Sequence, residues 1–304
     1  MRRLLQGPWR YDSSHEHGDM APLMSSNARP RLGLIIIGDE ILSGRRSDKH
    51  LAKVIDLLAE RGMTLSYAHY VGDEPERITD ILRAAFASGD VVFSTGGIGA
   101  TPDDHTRQCA ARALGRPLEL HTEAKELIEA RMRDVAREQG IPYEPDKPDN
   151  VHRLNMGVFP RGARIIPNPY NKIPGFTCDG PGAKGAVHFV PGFPVMAWPM
   201  IEWVLDTYYQ EWQRPGDWSE RAVIVFGAME ATLTPLMERI ESDYPGIKVF
   251  SLPSVDHPTY GRHIELGVKG QPDLVQIAFA ALRSGLEALN ARLGPEVVQH
   301  TAPI

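Results

Sequence analysis

The chain has 304 residues, of which 42% are hydrophobic and 24% are charged. That hydrophobic fraction is enough for a packed core, so disorder along the whole chain is excluded, and the length allows one large domain or two ordinary ones. With 33 basic and 39 acidic side chains, the formal net charge of −6 gives no electrostatic reason to expect nucleic acid or an anionic membrane as a partner. Cys109 and Cys178 form no CxxC pair, which argues against a disulfide framework and against a thiolate metal site.

Residues 1–30 are polar and rich in turn-forming residues. Arg2 and Arg3 are not followed by the apolar segment of a secretory signal. No apolar run near the start approaches the ~20 residues that cross a bilayer. We therefore expect a disordered tail, or a start codon assigned too far upstream, in a soluble, cytoplasmic protein.

From residue 31 onward, strand-like and helix-like patterns alternate. Leu32–Ile37 is a short apolar run of the kind that is buried on both faces of a sheet. In chain order the pattern predicts strand 32–37, helix 48–61, strand 64–71, helix 74–87, strand 91–94, a helix after the glycine-rich segment that follows, helix 122–139, strands 163–166 and 186–190, and a helix from 193 to about 212. This order predicts an α/β fold with a mostly parallel sheet and helices on both sides.

A second, smaller unit follows a linker-like segment at 214–217. Its predicted order is strand 221–226, helix 232–241, strands 248–252 and 262–268, and helix 273–289. Such a βαββα order is typical of a small α+β domain. We therefore predict a disordered tail (1–30), an α/β domain (31–213), a small α+β domain (217–292) and a second tail (293–304).

Three acidic or glycine-rich segments directly follow the first three predicted strands. They are GDEILSG at 38–44, GDEP at 72–75 and STGGIGATPDD at 94–104. In open α/β sheets, ligands bind beyond the carboxyl ends of the strands. We therefore expect the three segments to converge on one crevice.

The third segment is the most informative, because glycines stand at 96, 97 and 99. Glycines permit positive φ and bring backbone N–H groups close to an anion, and the N-terminus of the following helix adds a positive dipole end. The segment therefore predicts phosphate binding. Helix capping is the alternative, with Thr101 as the N-cap, Pro102 in the first helical position and Asp104 as a capping-box acid. Capping does not account for the three glycines.

Asp39, Asp73 and Asp104 would present carboxylates around such a phosphate. Carboxylate and phosphate oxygens together suit Mg²⁺, which takes few carboxylates and keeps several waters. We therefore predict a site for Mg²⁺ or another divalent cation on these three residues. The alternative for Asp73, with Glu74 and Pro75 behind it, is a helix start whose acids favour the dipole.

Two further segments could border the crevice. PGFP at 191–194, with Pro191 and Gly192, lies between a strand and a helix. NPYNKIPG at 168–175 begins at Asn168 and carries side-chain donors suited to a loop that closes over substrate. A solvated turn remains the alternative for it.

Taken together, GDEILSG, GDE, TGGIGATPDDHT at 95–106 and PGFP resemble the molybdopterin-binding (MoaB/Mog) family. Within it they are most similar to the amino-terminal part of the competence/damage-inducible protein A (CinA) branch. The likeness covers roughly 31–209, and the 221–289 unit resembles the small KH-like domain of that branch, without a recognisable GxxG loop.

This resemblance implies a three-layer α/β/α fold that holds a pterin, such as molybdopterin, or a nucleotide phosphate on the glycine loop. By motif position, the two acids implicated in metal-dependent chemistry correspond to Asp73 and Asp104. The expected ligand contacts are Ser43, Gly44, Thr95, Gly96, Gly97, Gly99, Thr101, Asn168, Pro191 and Gly192. By analogy with relatives we expect a homo-oligomer without a nucleic-acid or membrane partner.

Two departures from the branch matter for function. We expect no carboxy-terminal amidase domain, and the 168–175 loop lacks the Gly-Thr-Ala expected before Pro-Gly. The first hypothesis is a metal-dependent pyrophosphatase that hydrolyses a nucleotide such as ADP-ribose and releases AMP. The alternative is a non-catalytic module of molybdenum cofactor metabolism that holds molybdopterin or a nucleotide.

Overall fold

Two main sheets, each with packed helices, account for most of the chain that the computed structural model describes, namely residues 31–183, 185–214, 216 and 219–300. The predicted tail at 1–30 lies outside the described residues. The first elements are β1 (Leu32–Ile37), α1 (Asp39–Leu42), α2 (His50–Ala59), β2 (Leu65–Val71), α3 (Pro75–Ser88), β3 (Val91–Thr95), α4 (Thr106–Leu114), β4 (Leu118–Leu120), α5 (Thr122–Glu138), α6 (Pro148–Arg153), β5 (Val158–Pro160), β6 (Arg164–Ile166), β7 (Gly175–Asp179), β8 (Ala186–Val190) and α7 (Pro194–Tyr208).

The first sheet has six strands in the order β2-β1-β3-β8-β7-β6. β2, β1, β3 and β8 are parallel, whereas β7 runs antiparallel to both β8 and β6. β4 and β5 form a separate antiparallel pair. The carboxyl ends of the parallel strands therefore open on one edge of the sheet.

Strand β1 explains why helices cover both faces of this sheet. All of its residues are buried. Ile35 and Ile37 pack into a core with α3, α4 and α5, whereas Leu34 and Ile36 pack on the opposite face against α2 and α7. Successive side chains of a strand point to opposite faces, so an unbroken apolar run suits a strand covered on both sides. The predicted α/β fold, with three layers and a mostly parallel sheet, is confirmed.

Strand β7 was not predicted from the sequence. It lies inside the sheet between β8 and β6, and its first four residues are buried. The alternation of Phe176, Thr177, Cys178 and Asp179 is only four residues long. Its Phe176 ring stacks between those of Phe159 and Phe189, with centroids 4.5 and 4.4 Å away. These rings link β5, β7 and β8.

A buried histidine lies in the middle of β8. The Nδ1 atom of His188 lies 2.8 Å from the Thr177 hydroxyl, and its Nε2 atom lies 2.7 Å from the Tyr209 hydroxyl. Complete burial lowers the pKa of His188 to about 3. The ring is therefore neutral in the folded protein at ordinary pH.

The second sheet is antiparallel, in the order β10-β11-β9-β12. Its elements are β9 (Ser219–Phe226), α8 (Glu230–Asp243), β10 (Lys248–His257), β11 (Gly261–Gly270), α9 (Pro272–Ala288) and β12 (Arg292–His300). Both helices pack on one face, where Val223, Leu236 and Leu282 belong to the core. This agrees with the predicted α+β unit, while the boundaries of the two domains stay a prediction.

The predicted tail from 293 is wrong, because β12 pairs with β9 along its length. The register shifts between Leu293 and Glu296, where Gly294 and Pro295 interrupt the strand pattern. Among the described residues, no helix is both long and apolar enough to cross a bilayer.

Candidate ligand-binding cleft

A cleft of about 800 Å³ opens at the carboxyl ends of β1 and β3. Segments after β1, β2 and β3 line it, together with the start of α2, the 168–174 loop and the turn between β8 and α7. The expected convergence is therefore present. The predicted residues that line the cleft are Asp73, Thr95, Gly96, Gly97, Gly99, Thr101, Asp104, Asn168, Pro191 and Gly192. Asp39, Ser43 and Gly44 are not among the lining residues.

Two glycines set the path of the loop after β3. Gly96 has φ +100° and Gly97 has φ +67°, both in the left-handed region that favours glycine. A Cβ on Gly96 would collide with the carbonyl oxygen of Ile37, and one on Gly97 would collide with the Thr106 hydroxyl. The loop can therefore approach β1 and α4 this closely only with glycine at both positions.

The carbonyl groups of this loop are directed at the start of α4. Thr106 donates its hydroxyl to the Gly96 oxygen (3.1 Å) and its N–H to the Gly97 oxygen (3.0 Å). The buried guanidinium of Arg107 donates to the Ile98 oxygen. The Thr106 N–H and hydroxyl and the Arg107 side chain, at the start of α4, are thus bound to the loop's own carbonyls and are not free for a phosphate.

The same arrangement frees backbone donors on the other side of the loop. In a trans peptide the N–H of one residue points opposite to the preceding C=O. The N–H groups of Gly97 and Ile98 therefore point away from α4, and they have no partner among the described residues. Both residues line the cleft. Two neighbouring N–H donors of this kind form a concave cradle for an anion.

Asp104 holds the far end of the loop. Its Oδ1 atom accepts the N–H of Gly99 (2.8 Å), and its Oδ2 atom accepts both the N–H (2.8 Å) and the hydroxyl (2.5 Å) of Thr101. The alternative with Thr101 as the N-cap and Pro102 in the first helical position is wrong, because α4 begins at Thr106 with His105 as its N-cap. Asp104 fixes the shape of the loop and does not start the helix.

Asp39 and Asp73 are joined by reciprocal hydrogen bonds. The N–H of Asp39 donates to Asp73 Oδ2 (3.0 Å), and the N–H of Asp73 donates to Asp39 Oδ1 (3.2 Å). Burial raises the pKa of Asp73, and the charges of Asp39, Glu40 and Asp103 act in the same direction against the backbone hydrogen bond. This part of the cleft wall is strongly negative.

The predicted set of Asp39, Asp73 and Asp104 is not assembled as a metal centre. Within the described ranges, no group of three or more His, Cys, Asp or Glu side chains is arranged to hold an ion. The carboxylate of Asp104 is turned to the loop, and that of Asp39 to the Asp73 N–H. Any ion here would need further ligands from a bound phosphate or from water.

Asn168 holds its own loop together. Its amide donates to Asn171 Oδ1 (2.8 Å) and to the Ile173 carbonyl (2.9 Å), and its Oδ1 accepts the Tyr170 N–H (3.0 Å). Lys172, at φ +65°, reaches Asp134 on α5 with its ammonium group. Asn168 therefore has no free donor for a ligand. Part of the 168–174 loop lines the cleft, whereas its tip is solvated, with Tyr170 63% exposed.

His50 is one of several lining residues that sequence reasoning missed, among them Arg46 and Lys49. It begins α2, is only 4% exposed, and places Nε2 3.1 Å from the Gly192 carbonyl. Its Nδ1 and the Thr95 hydroxyl are buried without a partner among the described residues. Asp48 was the available signal, since its carboxylate accepts the N–H groups of His50 and Leu51 and so marks where the helix begins.

A family model described as "Probable molybdopterin binding domain" matches residues 33–210, more than half of the chain. The chain belongs to this family. The resemblance predicted from the motifs is thereby confirmed. Every residue that lines the cleft falls inside the matched range, so the cleft belongs entirely to the molybdopterin-binding-family domain.

Relatives extend this similarity beyond the family domain. A protein of Pyrobaculum calidifontis is 29% identical over 266 residues, which cover 86% of this chain and 97% of that protein. A CinA-like protein of Desulfovibrio desulfuricans is 30% identical over 273 residues, which cover 88% of this chain but 58% of that protein. A solved structure of CinA from Thermoplasma acidophilum is 27% identical and covers 58% of this chain and 97% of its own, with a TM-score of 0.49. The chain thus spans little more than half of the CinA-like relative.

Proposed function

We propose that this protein holds a phosphorylated pterin or nucleotide in the cleft and hydrolyses a phosphoanhydride in it, as in ADP-ribose. The observation that carries the proposal is the presence, in one cleft, of a glycine loop with two unpartnered N–H donors and of Asp73 in acidic surroundings. The loop suits a phosphate, and the acids suit a cation bound to that phosphate.

The loop side of the cleft favours an anion. The N–H groups of Gly97 and Ile98 are neighbouring donors without a partner in the described part of the chain. Arg46 and Lys49 line the same cleft, and the buried Arg107 guanidinium lies against the loop. Fixed dipoles and positive charges of this kind stabilise phosphate oxygens without reorganising during the reaction.

The acidic side suits a divalent cation, by the chemistry of its donors. Asp39, Asp73, Glu40 and Asp103 offer oxygen atoms alone, and their mutual repulsion raises the pKa of Asp73 in addition to burial. Mg²⁺ is commonly held by one or two carboxylates together with substrate phosphates and waters, so a three-carboxylate cage is not required. When bound, such an ion polarises the phosphoanhydride.

In the proposed reaction, water adds to one phosphorus of ADP-ribose and the bridging P–O bond breaks. The products are AMP and ribose 5-phosphate. The N–H groups of Gly97 and Ile98 hold the charge that remains on the phosphate oxygens. Asp73 orients the phosphate group from the acidic side of the cleft.

The test follows AMP by chromatography after incubation with ADP-ribose and Mg²⁺, Mn²⁺, Co²⁺ or EDTA. We expect metal-dependent AMP release that Asp73→Asn lowers by about 100-fold. Asparagine keeps an acceptor for the Asp39 N–H, so folding should persist. Asp80→Asn, on the exposed side of α3, is the matched control and should retain activity. Equal AMP release in EDTA, or by Asp73→Asn, would overturn the proposal.

A non-catalytic binding module is the second candidate. It is favoured by the hydrogen bonds that commit Asp104 to the loop and by the lack of a three-ligand metal group among the described residues. Metal-independent binding of a nucleotide without any product would support it. Many turnovers per protein molecule would exclude it.

A further inference from the structure

The hydrogen bond from His50 to Gly192 fixes which ring nitrogen carries the proton. The Gly192 carbonyl oxygen can only accept, so the Nε2 atom of His50, 3.1 Å away, is the donor. In a neutral imidazole the other nitrogen is then an acceptor. In that neutral form, His50 presents Nδ1 as a lone-pair acceptor.

No group in the described part of the chain pairs with this acceptor. Nδ1 of His50 is buried and unpartnered, although the ring itself lines the cleft. The nearest carboxylate in the sequence, Asp48, already accepts the N–H groups of His50 and Leu51 and the Tyr70 hydroxyl. The Thr95 hydroxyl, at the end of β3, is a second buried and unpartnered polar group that lines the same cleft.

In the neutral form of the ring Nδ1 needs a hydrogen-bond donor, and the charged oxygens of a phosphate only accept hydrogen bonds. An N–H group can donate one. We propose that His50 accepts a hydrogen bond from an N–H on the nitrogen heterocycle of the ligand, and that the Thr95 hydroxyl pairs with a neighbouring atom of that ring. This inference rests on the proposed function. It adds His50, which would recognise the ring of the ligand, to the glycine loop, which would bind its phosphate.

The ligand class that fits is a purine or pterin with an N–H on its six-membered ring. Adenine offers an exocyclic amino group, and guanine carries the same 2-amino-4-oxo pyrimidine edge as a pterin. Since Nδ1 and the Thr95 hydroxyl are covered in this structure, binding of the ring requires a small movement of His50 or of the groups that cover it. The ¹⁵N resonances of the His50 ring therefore shift when such a ligand binds.

The experiment compares three diphosphates in EDTA, where no metal-dependent turnover occurs. ADP carries an exocyclic amino group and GDP carries both a ring N–H and an amino group, whereas purine riboside 5′-diphosphate has the same phosphates and sugar but no N–H on its base. One hydrogen bond predicts that ADP, GDP or both bind about 10-fold more tightly than the purine riboside compound. Inorganic pyrophosphate reports on the glycine loop alone.

Two variants distinguish recognition of the ligand ring by His50 from a merely structural role of this residue. His50→Gln can still donate to Gly192 but offers no acceptor at the Nδ1 position, so it should lose the 10-fold preference. His50→Asn places an amide oxygen close to the Nδ1 position but loses the Gly192 contact, so it should keep the preference. A structural role alone predicts the reverse order, and melting temperatures report on folding in both variants.

The outcomes are distinct. Equal binding of all three diphosphates, with no shift of the His50 resonances, overturns the inference and leaves the phosphate site intact. Failure of all three diphosphates and of pyrophosphate to bind overturns the proposed function together with it. A preference that Gln abolishes and Asn retains supports the inference, whether or not AMP is released from ADP-ribose.

Discussion

Replacing Asp104 by asparagine tests whether the hydrogen bonds of this carboxylate stabilise the glycine loop. The carboxylate accepts three hydrogen bonds, from the Gly99 N–H and from the N–H and hydroxyl of Thr101. Asparagine keeps one acceptor oxygen and turns an NH₂ group toward donors, so at least one of the bonds is lost. A purely catalytic Asp104 would instead leave the stability of the protein unchanged.

The size of the effect follows from the exposure of these bonds. A bond to a charged acceptor contributes about 1.5–3 kcal/mol, and the exposure of Thr101 places the present ones at or below the low end of that range. We therefore expect Asp104→Asn to lower the free energy of unfolding by about 1–2 kcal/mol. In a domain of about 200 residues this corresponds to a fall in melting temperature of about 2–8 °C.

The assay combines thermal unfolding with binding of inorganic pyrophosphate. A loosened loop no longer presents the N–H groups of Gly97 and Ile98 together, so affinity should fall about 10-fold in parallel with the melting temperature. Asp80→Asn is the matched control, because its exposed carboxylate on α3 pairs with Arg83 and makes no hydrogen bond to the loop. If Asp104→Asn has the melting temperature of the wild type and binds pyrophosphate with the same affinity, Asp104 does not hold the loop in place.

Three further substitutions give measurable outcomes. Gly96→Ala should cost about 3 kcal/mol in urea unfolding, because it combines left-handed strain with a backbone collision, whereas Gly44→Ala, at φ +72° with open space around it, should cost only about 1–2 kcal/mol. Phe176→Ala should cost about 3–5 kcal/mol, since it removes the middle ring of a stack, and a smaller loss would mean that the core refills the gap. The pKa of His188 is lowered from 6.5 to about 3, so below pH 6.5 the unfolded chain binds a proton that the folded protein does not. Stability should therefore fall by about 2 kcal/mol between pH 7 and pH 5, and His188→Gln should remove that part of the slope in denaturant titrations.

Helices and strands were predictable from the sequence wherever their apolar residues form a clear pattern. Leu32–Ile37 and Ala186–Val190 were predicted with the bounds they have, because short, mainly apolar runs between glycines and turns leave few alternatives, even with His188 inside the second run. The strand Gly175–Asp179 was missed, because its alternating part is only four residues long and it follows a loop rich in turn-forming residues. Arg292–His300 was missed since a glycine and a proline interrupt it at a bulge in an edge strand.

The site was predictable as a place but not as a set of contacts. The chain order of strands and glycines is enough to bring Asp73, the glycine loop and Gly192 to one edge of the sheet. Which atoms remain free depends on the path of each loop and on how the loops meet, and sequence spacing does not determine either. Asn168 and Asp104 are bound within their own loops, whereas His50 contacts the distant Gly192 and keeps an unpaired nitrogen.

The acids around Asp73 bear on whether the cleft does chemistry. A cleft that only held a phosphate would be weakened by carboxylates placed near it, since like charges repel across a few ångströms. Here burial and three further acids raise the pKa of Asp73. No basic side chain among the described residues pairs with this carboxylate. Asp73 would hold a divalent cation, whose charge would offset this repulsion. Pyrophosphate affinity should then rise with Mg²⁺ in the wild type and stay unchanged in Asp73→Asn, and the same response in both proteins would leave the binding module as the better account.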